Sequence, residues 1–220
     1  MSIPSPSSGS EEVPSPRSTS VVIGMLGGIA SGKSFAGRLL AGEDGTVVDA
    51  DRLAHEVLAS SETAEFLRER FGPEVLDAQG RPDRQALADR VFANPDDRKA
   101  LEAWTHPIVR ARILEEIDAA RGSHRNPIVL DVPLLLENDA QHALARACDY
   151  LVFVDAEEAD REQRARATRN WKPGERERRE AAQWTMNQKR DAASHVISNR
   201  QDKTELERAV QLLRSELQLD

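Results

Sequence analysis

One stretch, Val21–Phe35, restricts the possible folds more than any other. In VVIGMLGGIASGKSF an apolar, β-branched run passes into Gly27-Gly28-Ile29-Ala30-Ser31-Gly32-Lys33-Ser34, and then into the helix-compatible segment Phe35–Leu40. The spacing fits G-x-x-x-x-G-K-[ST], a strand–loop–helix unit that holds phosphate, or P-loop. Its glycines let backbone N–H groups turn inward onto phosphate oxygens, the following helix directs its positive end at them, and Lys33 adds a mobile cation. Ser34 offers a hydroxyl to magnesium. A glycine-rich turn that merely ends in Lys-Ser explains neither the apolar strand before it nor the small residues within it.

The remaining chain reads as strands alternating with helices, the pattern of an α/β domain whose parallel sheet is covered on both faces. Strands are expected at Val21–Leu26, Thr46–Asp49, Pro127–Leu130, Tyr150–Val154 and His195–Ile197. The second and third are separated by about 75 residues, too many for a simple crossover. This insertion reads as helices at about Arg52–Leu58, Ser61–Phe71, Asp83–Phe92, Asp96–Trp104 and Pro107–Ala120, with a turn at Asp77-Ala78-Gln79-Gly80. Leu101, Trp104, Ile108 and Ile113 read as packing residues. Residues 1–20, rich in Ser, Pro, Gly and Glu, read as a disordered tail with neither a secretory h-region nor a transit-peptide pattern.

Further carboxylates stand where parallel sheets bind ligands, at the carboxyl ends of strands. In Val47-Val48-Asp49-Ala50-Asp51, an extended chain puts Asp49 and Asp51 on one face, where one carboxylate orients or deprotonates a hydroxyl and the other supports magnesium-bound water. Asp51 serves equally well as the cap of a helix starting at Arg52. Ile128-Val129-Leu130-Asp131 has the form of a Walker B strand, whose terminal carboxylate contacts magnesium directly or through water. The apolar loop Val132–Leu136 then leads to Glu137, as a substrate wall or as a hydrophobic plug. His106, before Pro107, reads as a helix-start residue.

Charge is unevenly spread. The formal net charge of −8 argues against general nucleic-acid affinity. Arg161–Arg190 nevertheless holds ten Lys or Arg against four Asp or Glu, broken by Trp171-Lys172-Pro173-Gly174. Two helices joined there form a basic flap. Glu175 with Arg179 and Arg176 with Glu180 are i,i+4 pairs on a solvated face, which leaves Arg161, Arg164, Arg166 and Arg169 in excess for a triphosphate. Cys148 is the only cysteine, so neither an intrachain disulfide nor a thiolate cluster is available, and a reduced, cytoplasmic setting is the default. No stretch approaches the ~20 apolar residues that span a bilayer.

These motifs together resemble the dephospho-coenzyme A kinases over about Val21–Leu213. The resemblance rests on Gly27-Gly28-Ile29 with Ser31-Gly32-Lys33-Ser34, Asp49-Ala50-Asp51 with Ala54-His55, and Leu101-Glu102 with His106-Pro107. It continues through Asp131-Val132-Pro133-Leu134-Leu135 with Glu137, and then Gln183, Lys189 and Asn199. It implies a nucleotide-kinase P-loop fold with a five-stranded parallel sheet (core 21–51, 127–156 and 194–220), a helical substrate subdomain (52–126) and a lid (157–193). The implied activity is ATP-dependent phosphorylation of the ribose 3′-hydroxyl of dephospho-CoA, with magnesium. The alternatives are a kinase of another small hydroxyl compound or a regulatory ATPase.

The implied catalytic residues are Asp51 as general base, Lys33, Arg164 and Arg169. Gly28, Ile29, Ala30, Ser31, Gly32, Lys33, Ser34, Phe35 and Asn199 are the expected ATP site, with Asn199 in the segment near the adenine. Asp49, His55, His106, Pro133, Leu134 and Glu137 are the expected acceptor site, and Ser34 and Asp131 the magnesium ligands. The implied partners are the two small-molecule substrates, without nucleic acid or membrane, for a monomer or weak homo-oligomer. Leu26, Ala30 and Phe35 depart from the family pattern, as does the spacing of Arg164 and Arg169. Ala30 is tolerable there if its φ is negative.

Overall fold

The computed structural model describes residues 20–169 and 171–219, so the expected tail lies, Ser20 apart, outside the described residues. Strands β1 (Val22–Gly27), β2 (Thr46–Asp49), β3 (Ile128–Asp131), β4 (Tyr150–Asp155) and β5 (His195–Ser198) form one parallel sheet in the order β2-β3-β1-β4-β5. Each lies within a residue or so of its expected position.

Alternation along the strands divides the core into two layers. Val22, Leu26, Val48, Ile128, Leu130 and Phe153 face one layer, while Ile23, Met25, Val129, Val152, Val154 and Ile197 face the other. Helices α1 (Lys33–Ala41) and α10 (Lys203–Glu216) cover the second layer through Ala36, Leu40, Leu206, Val210 and Leu213. Helices α2 (Ala50–Leu58) and α5 (Pro95–Gly122) cover the first through Leu53, Ile113, Ile117 and Ala120.

Between them, α3 (Ser61–Phe71) and α4 (Arg84–Ala93) build a satellite core of Leu67, Phe71, Val75 and Leu87. Its tie to α5 is aromatic: Phe66 stacks on Trp104 with centroids 4.5 Å apart, and the Trp104 indole N–H donates to Thr63 Oγ1 at 3.4 Å. Ser60, Asp83 and Asn94 cap α3, α4 and α5 by accepting backbone N–H bonds. After β3 come the short helix α6 (Asp139–His142) and, after β4, helices α7 (Glu158–Arg169), α8 (Glu175–Glu180) and α9 (Met186–Ala192), which occupy the stretch expected to form a lid.

Two local expectations are corrected. The chain does not stay extended after β2: Asp49 is both the last strand residue and the N-cap of α2, its Oδ1 accepting from Arg52 N at 3.0 Å. Asp51 therefore sits inside the first helical turn, rotated off the face Asp49 occupies, and is not the cap. The second correction concerns Pro107, read as a helix start. It lies inside the continuous α5, where Thr105, capable of bonding back to Leu101 O at 2.9 Å, precedes it.

An interior proline has no N–H to give the carbonyl four residues earlier, here that of Ala103, and such a site costs about 3 kcal/mol relative to alanine. Pro107 and Ala103 both line the cleft described below. Pro107→Ala should therefore raise the urea midpoint, because α5 gains a backbone hydrogen bond there. A lower midpoint would show that the proline is an ordinary packing residue.

Candidate active site

The loop between β1 and α1 is closed on both sides by other parts of the chain. Gly28 is buried, and a Cβ added there would meet Arg161 Nη1 at 2.5 Å, Met186 Sδ at 2.8 Å and Glu180 Oε1 at 2.9 Å, so α7, α8 and α9 pack directly on it. From the opposite side, the buried Asn199 amide donates to Ser31 O at 2.7 Å, next to Gly32. Gly32 takes φ +90°, the left-handed conformation that glycine adopts without strain.

Ala30 is also left-handed, with φ +60°, contrary to the negative φ that would make it strain-free. A β-carbon in that region costs roughly 1–2 kcal/mol, partly offset by the lower unfolded-state entropy of alanine. Ala30→Gly should thus stabilise the fold by about 0.5–1 kcal/mol, read as a shift in the chemical-denaturation midpoint. Destabilisation would mean that the alanine methyl packs usefully in the loop.

Charged groups converge at the strand ends. Lys33 Nζ bonds Asp131 Oδ1, and Asp131, almost wholly buried, is the register partner of Asp49 across β2 and β3. The Ile29 N–H donates to Glu180 Oε1 at 2.7 Å, and the same carboxylate accepts from Arg161 and Arg176. Arg176 also binds Glu158 at 2.7 Å and Glu162 at 3.1 Å. Burial works against the Arg176 charge, but these carboxylates more than offset it and the pKa rises.

Arg176 and Glu180 are therefore a buried pair aimed at the loop, not the solvated pair expected from their spacing. Glu175, with Arg178 and Arg179 at 2.8 Å, does sit on solvent, and hydrogen bonds from Arg178 and then Arg179 hold its carboxyl at about 2.

Ser31 Oγ, Arg161 Nε and Arg164 Nη1 are buried without a hydrogen-bond partner, all around this loop. Two donors of fixed positive charge and a hydroxyl left open beside inward N–H groups suit an anion with several oxygens, as a triphosphate has. Of the other arginines, Arg169 stacks 4.8 Å from the Trp171 ring centre, with Arg179 at 4.5 Å, and Arg166 is exposed. Ser34 is exposed at the start of α1, and Phe35 packs into the core below Lys203, whose Nζ lies 5.4 Å from its ring.

A cleft of about 850 Å³ is lined by Asp51 and Ala54 of α2, by Pro133 and by residues of α5 and α6, His106 among them. Asp51 is exposed at its edge, so the carboxylate two residues beyond Asp49 borders the cleft while Asp49 remains in its cap. His55 is exposed on α2 and is not among the lining groups. Leu134, at φ +55°, is half-buried, and its neighbour Leu135 belongs to the core. Glu137 faces α9 and the turn before it: it binds Lys189 at 2.9 Å and accepts from Trp184 N at 3.1 Å.

Of the stripe that lines the cleft along α5, Lys99 and Arg110 escaped the sequence reading. Lys99, Glu102, His106, Arg110 and Ile113 succeed one another at helical intervals along one side of α5. That stripe becomes visible only when α5 is read as continuous through Pro107. Arg110 Nε donates to His142 O at 2.6 Å, and Leu144 N donates to His142 Nδ1 at 3.1 Å. Glu180 gave no signal beyond its pairing distance from Arg176.

Burial lowers the pKa of His142 below 6.5, and Arg110 and His106 push the same way against the opposing pull of Asp139. The folded chain thus refuses a proton that the unfolded chain accepts. The contribution is constant above about pH 6.5 and stability falls as pH drops from there toward the folded value. His142→Gln should flatten this part of the stability–pH profile relative to the parent chain, and an unchanged slope would assign it elsewhere.

The family model for dephospho-CoA kinase matches residues 21–205. The chain belongs to the dephospho-CoA kinase family. It is 40% identical to the dephospho-CoA kinase of Symbiobacterium thermophilum over 182 residues, covering 81% of this chain and 74% of that one. It is 41% identical to that of Geobacter metallireducens over 194 residues, covering 86% and 93%. A Thermus thermophilus crystal structure superposes with a TM-score of 0.72 at 35% identity, covering 90% of this chain and 98% of the other. At 22% identity, the Campylobacter jejuni dephospho-CoA kinase supports the shared fold with a TM-score of 0.65, covering 89% and 96%. No helix among the described residues is long and apolar enough to cross a membrane.

Proposed function

We propose that this member of the family transfers the γ-phosphoryl group of ATP to the ribose 3′-hydroxyl of dephospho-CoA, giving CoA and ADP. The reading rests on Asp51, which lines the 850 Å³ cleft and stands two residues beyond Asp49, the register partner of the Asp131 that binds Lys33. An acceptor in that cleft meets the Asp51 carboxylate.

In this reading Asp51 orients the 3′-hydroxyl and takes its proton as the oxygen bonds to the γ-phosphorus. The bond from that phosphorus to the bridging oxygen breaks, and its electron pair leaves with ADP. Loop N–H groups, Lys33 and the open donors of Arg161 and Arg164 neutralise charge on the transferring group, while Arg169 must leave Trp171 to join them. Ser34 and Asp131 would hold magnesium, which supplies further neutralisation of the triphosphate. Lys33 and Asp131 must separate for each to reach its ligand. Lys99 and Arg110 give the cleft wall cationic groups suited to the acceptor's diphosphate. His106 and Pro133 shape the same wall, and Glu137 acts through the lid, whose closure excludes water.

The direct test is to incubate the protein with magnesium-ATP and dephospho-CoA and look for a product heavier by one phosphate, with a nucleoside monophosphate and a sugar acid as competing acceptors. Transfer to either competitor in preference would overturn the acceptor assignment. Asp51→Asn should lower kcat roughly 10²–10⁴-fold while leaving the Kd for ATP within about twofold, the range expected when a general base is lost. Turnover within a few-fold of the parent would remove Asp51 from that role.

A further inference from the structure

The proposed ATP site already contains an anion of the protein's own. The Glu180 carboxylate takes the Ile29 N–H at 2.7 Å, inside the loop that cradles phosphate, and holds the Arg161 guanidinium. Its side chain is only 13% exposed and that of Arg161 7% exposed, so neither interaction is weakened by water as a surface pair is. The remaining oxygen binds Arg176.

The partners of the two arginines differ in a way that gives the contact a direction. Arg176 keeps Glu158 and Glu162 if Glu180 moves. Arg161 has no second carboxylate among the described residues, and its Nε is already unsatisfied. Withdrawing Glu180 therefore leaves Arg176 neutralised and Arg161 seeking an anion beside Gly28.

We infer that Glu180 is a built-in competitor of the nucleotide: its carboxylate stands in for a phosphate at the Ile29 N–H, and ATP must displace it, taking over Arg161. Glu180 is thus a positioning residue that sets nucleotide affinity through the loop and Arg161. Nucleotide entry and release of the lid from the loop become one event. The inference rests on the reading of the loop as an ATP site.

A structural role and a competing role predict opposite signs. If Glu180 only braced the lid, removing its charge would disorganise Arg161 and weaken ATP binding. As a competitor, its removal strengthens binding. Calorimetric titration of magnesium-ATP into the full chain, without acceptor, should give a Kd roughly tenfold lower for Glu180→Gln than for the parent, the size expected for losing a charge-assisted hydrogen bond.

Thermal melting establishes that the variant is folded. Should it not be, Glu180→Asp, which keeps the charge but withdraws the carboxylate by one methylene, is measured in the same way and should also bind more tightly. Equal or weaker binding by the folded variant overturns the competitor assignment while leaving the ATP site intact. Absence of ATP binding by the parent chain overturns both.

Discussion

A lysine beside inward-turned backbone N–H groups has to be matched by negative charge, because buried donors and cations are costly when left unpaired. Much of the architecture supplies that match. Sheet order puts β3 next to β1, so that Asp131 reaches Lys33 from the adjacent strand. The end of α8 lies against the loop and brings Glu180 to Ile29 N. The two carboxylates approach from different elements and neutralise different parts of the same loop. A triphosphate presents the same pattern of charge in one molecule, and in the proposed reading its binding exchanges partners within an existing arrangement.

The direct passage from β2 into α2 solves a placement problem. With no loop between them, Asp49 is held by its capping bond, and the helical turn carries Asp51 away from the sheet toward the cleft. Two carboxylates separated by one alanine thereby serve different surroundings. The alanine matters as well, since Ala50 is buried in the layer formed by α2, α5 and the sheet.

The strands, the phosphate loop and the Walker-type aspartate were legible because each depends on short-range pattern: apolar runs, glycine spacing, and a carboxylate after a strand. The side of α2 on which Asp51 falls was not legible, since an extended pair and a capped helix use the same residue types and only tertiary packing separates them. α5 was divided at Pro107 by the local rule for proline, which packing of Ile113 and Ile117 against the sheet overrides. Arg176–Glu180 has the spacing of an ordinary surface pair, and its burial depends on the preceding helix α7 and on the loop, 151 residues away in sequence. Ala30 shows the limit from the other direction: a residue can be identified without its φ.

The hydrogen bond from Asn199 to Ser31 joins groups 168 residues apart. The loop's own sequence therefore encodes a capacity to bind phosphate, while its inner wall is completed from the far end of the sheet. Such a contact closes a longer loop of chain than the other hydrogen bonds described at the site, from a residue that directly follows β5. During synthesis, the segment that most resembles a finished nucleotide site is made early and acquires its final wall late. An incomplete chain would thus carry the signature of the site without the surface that encloses it.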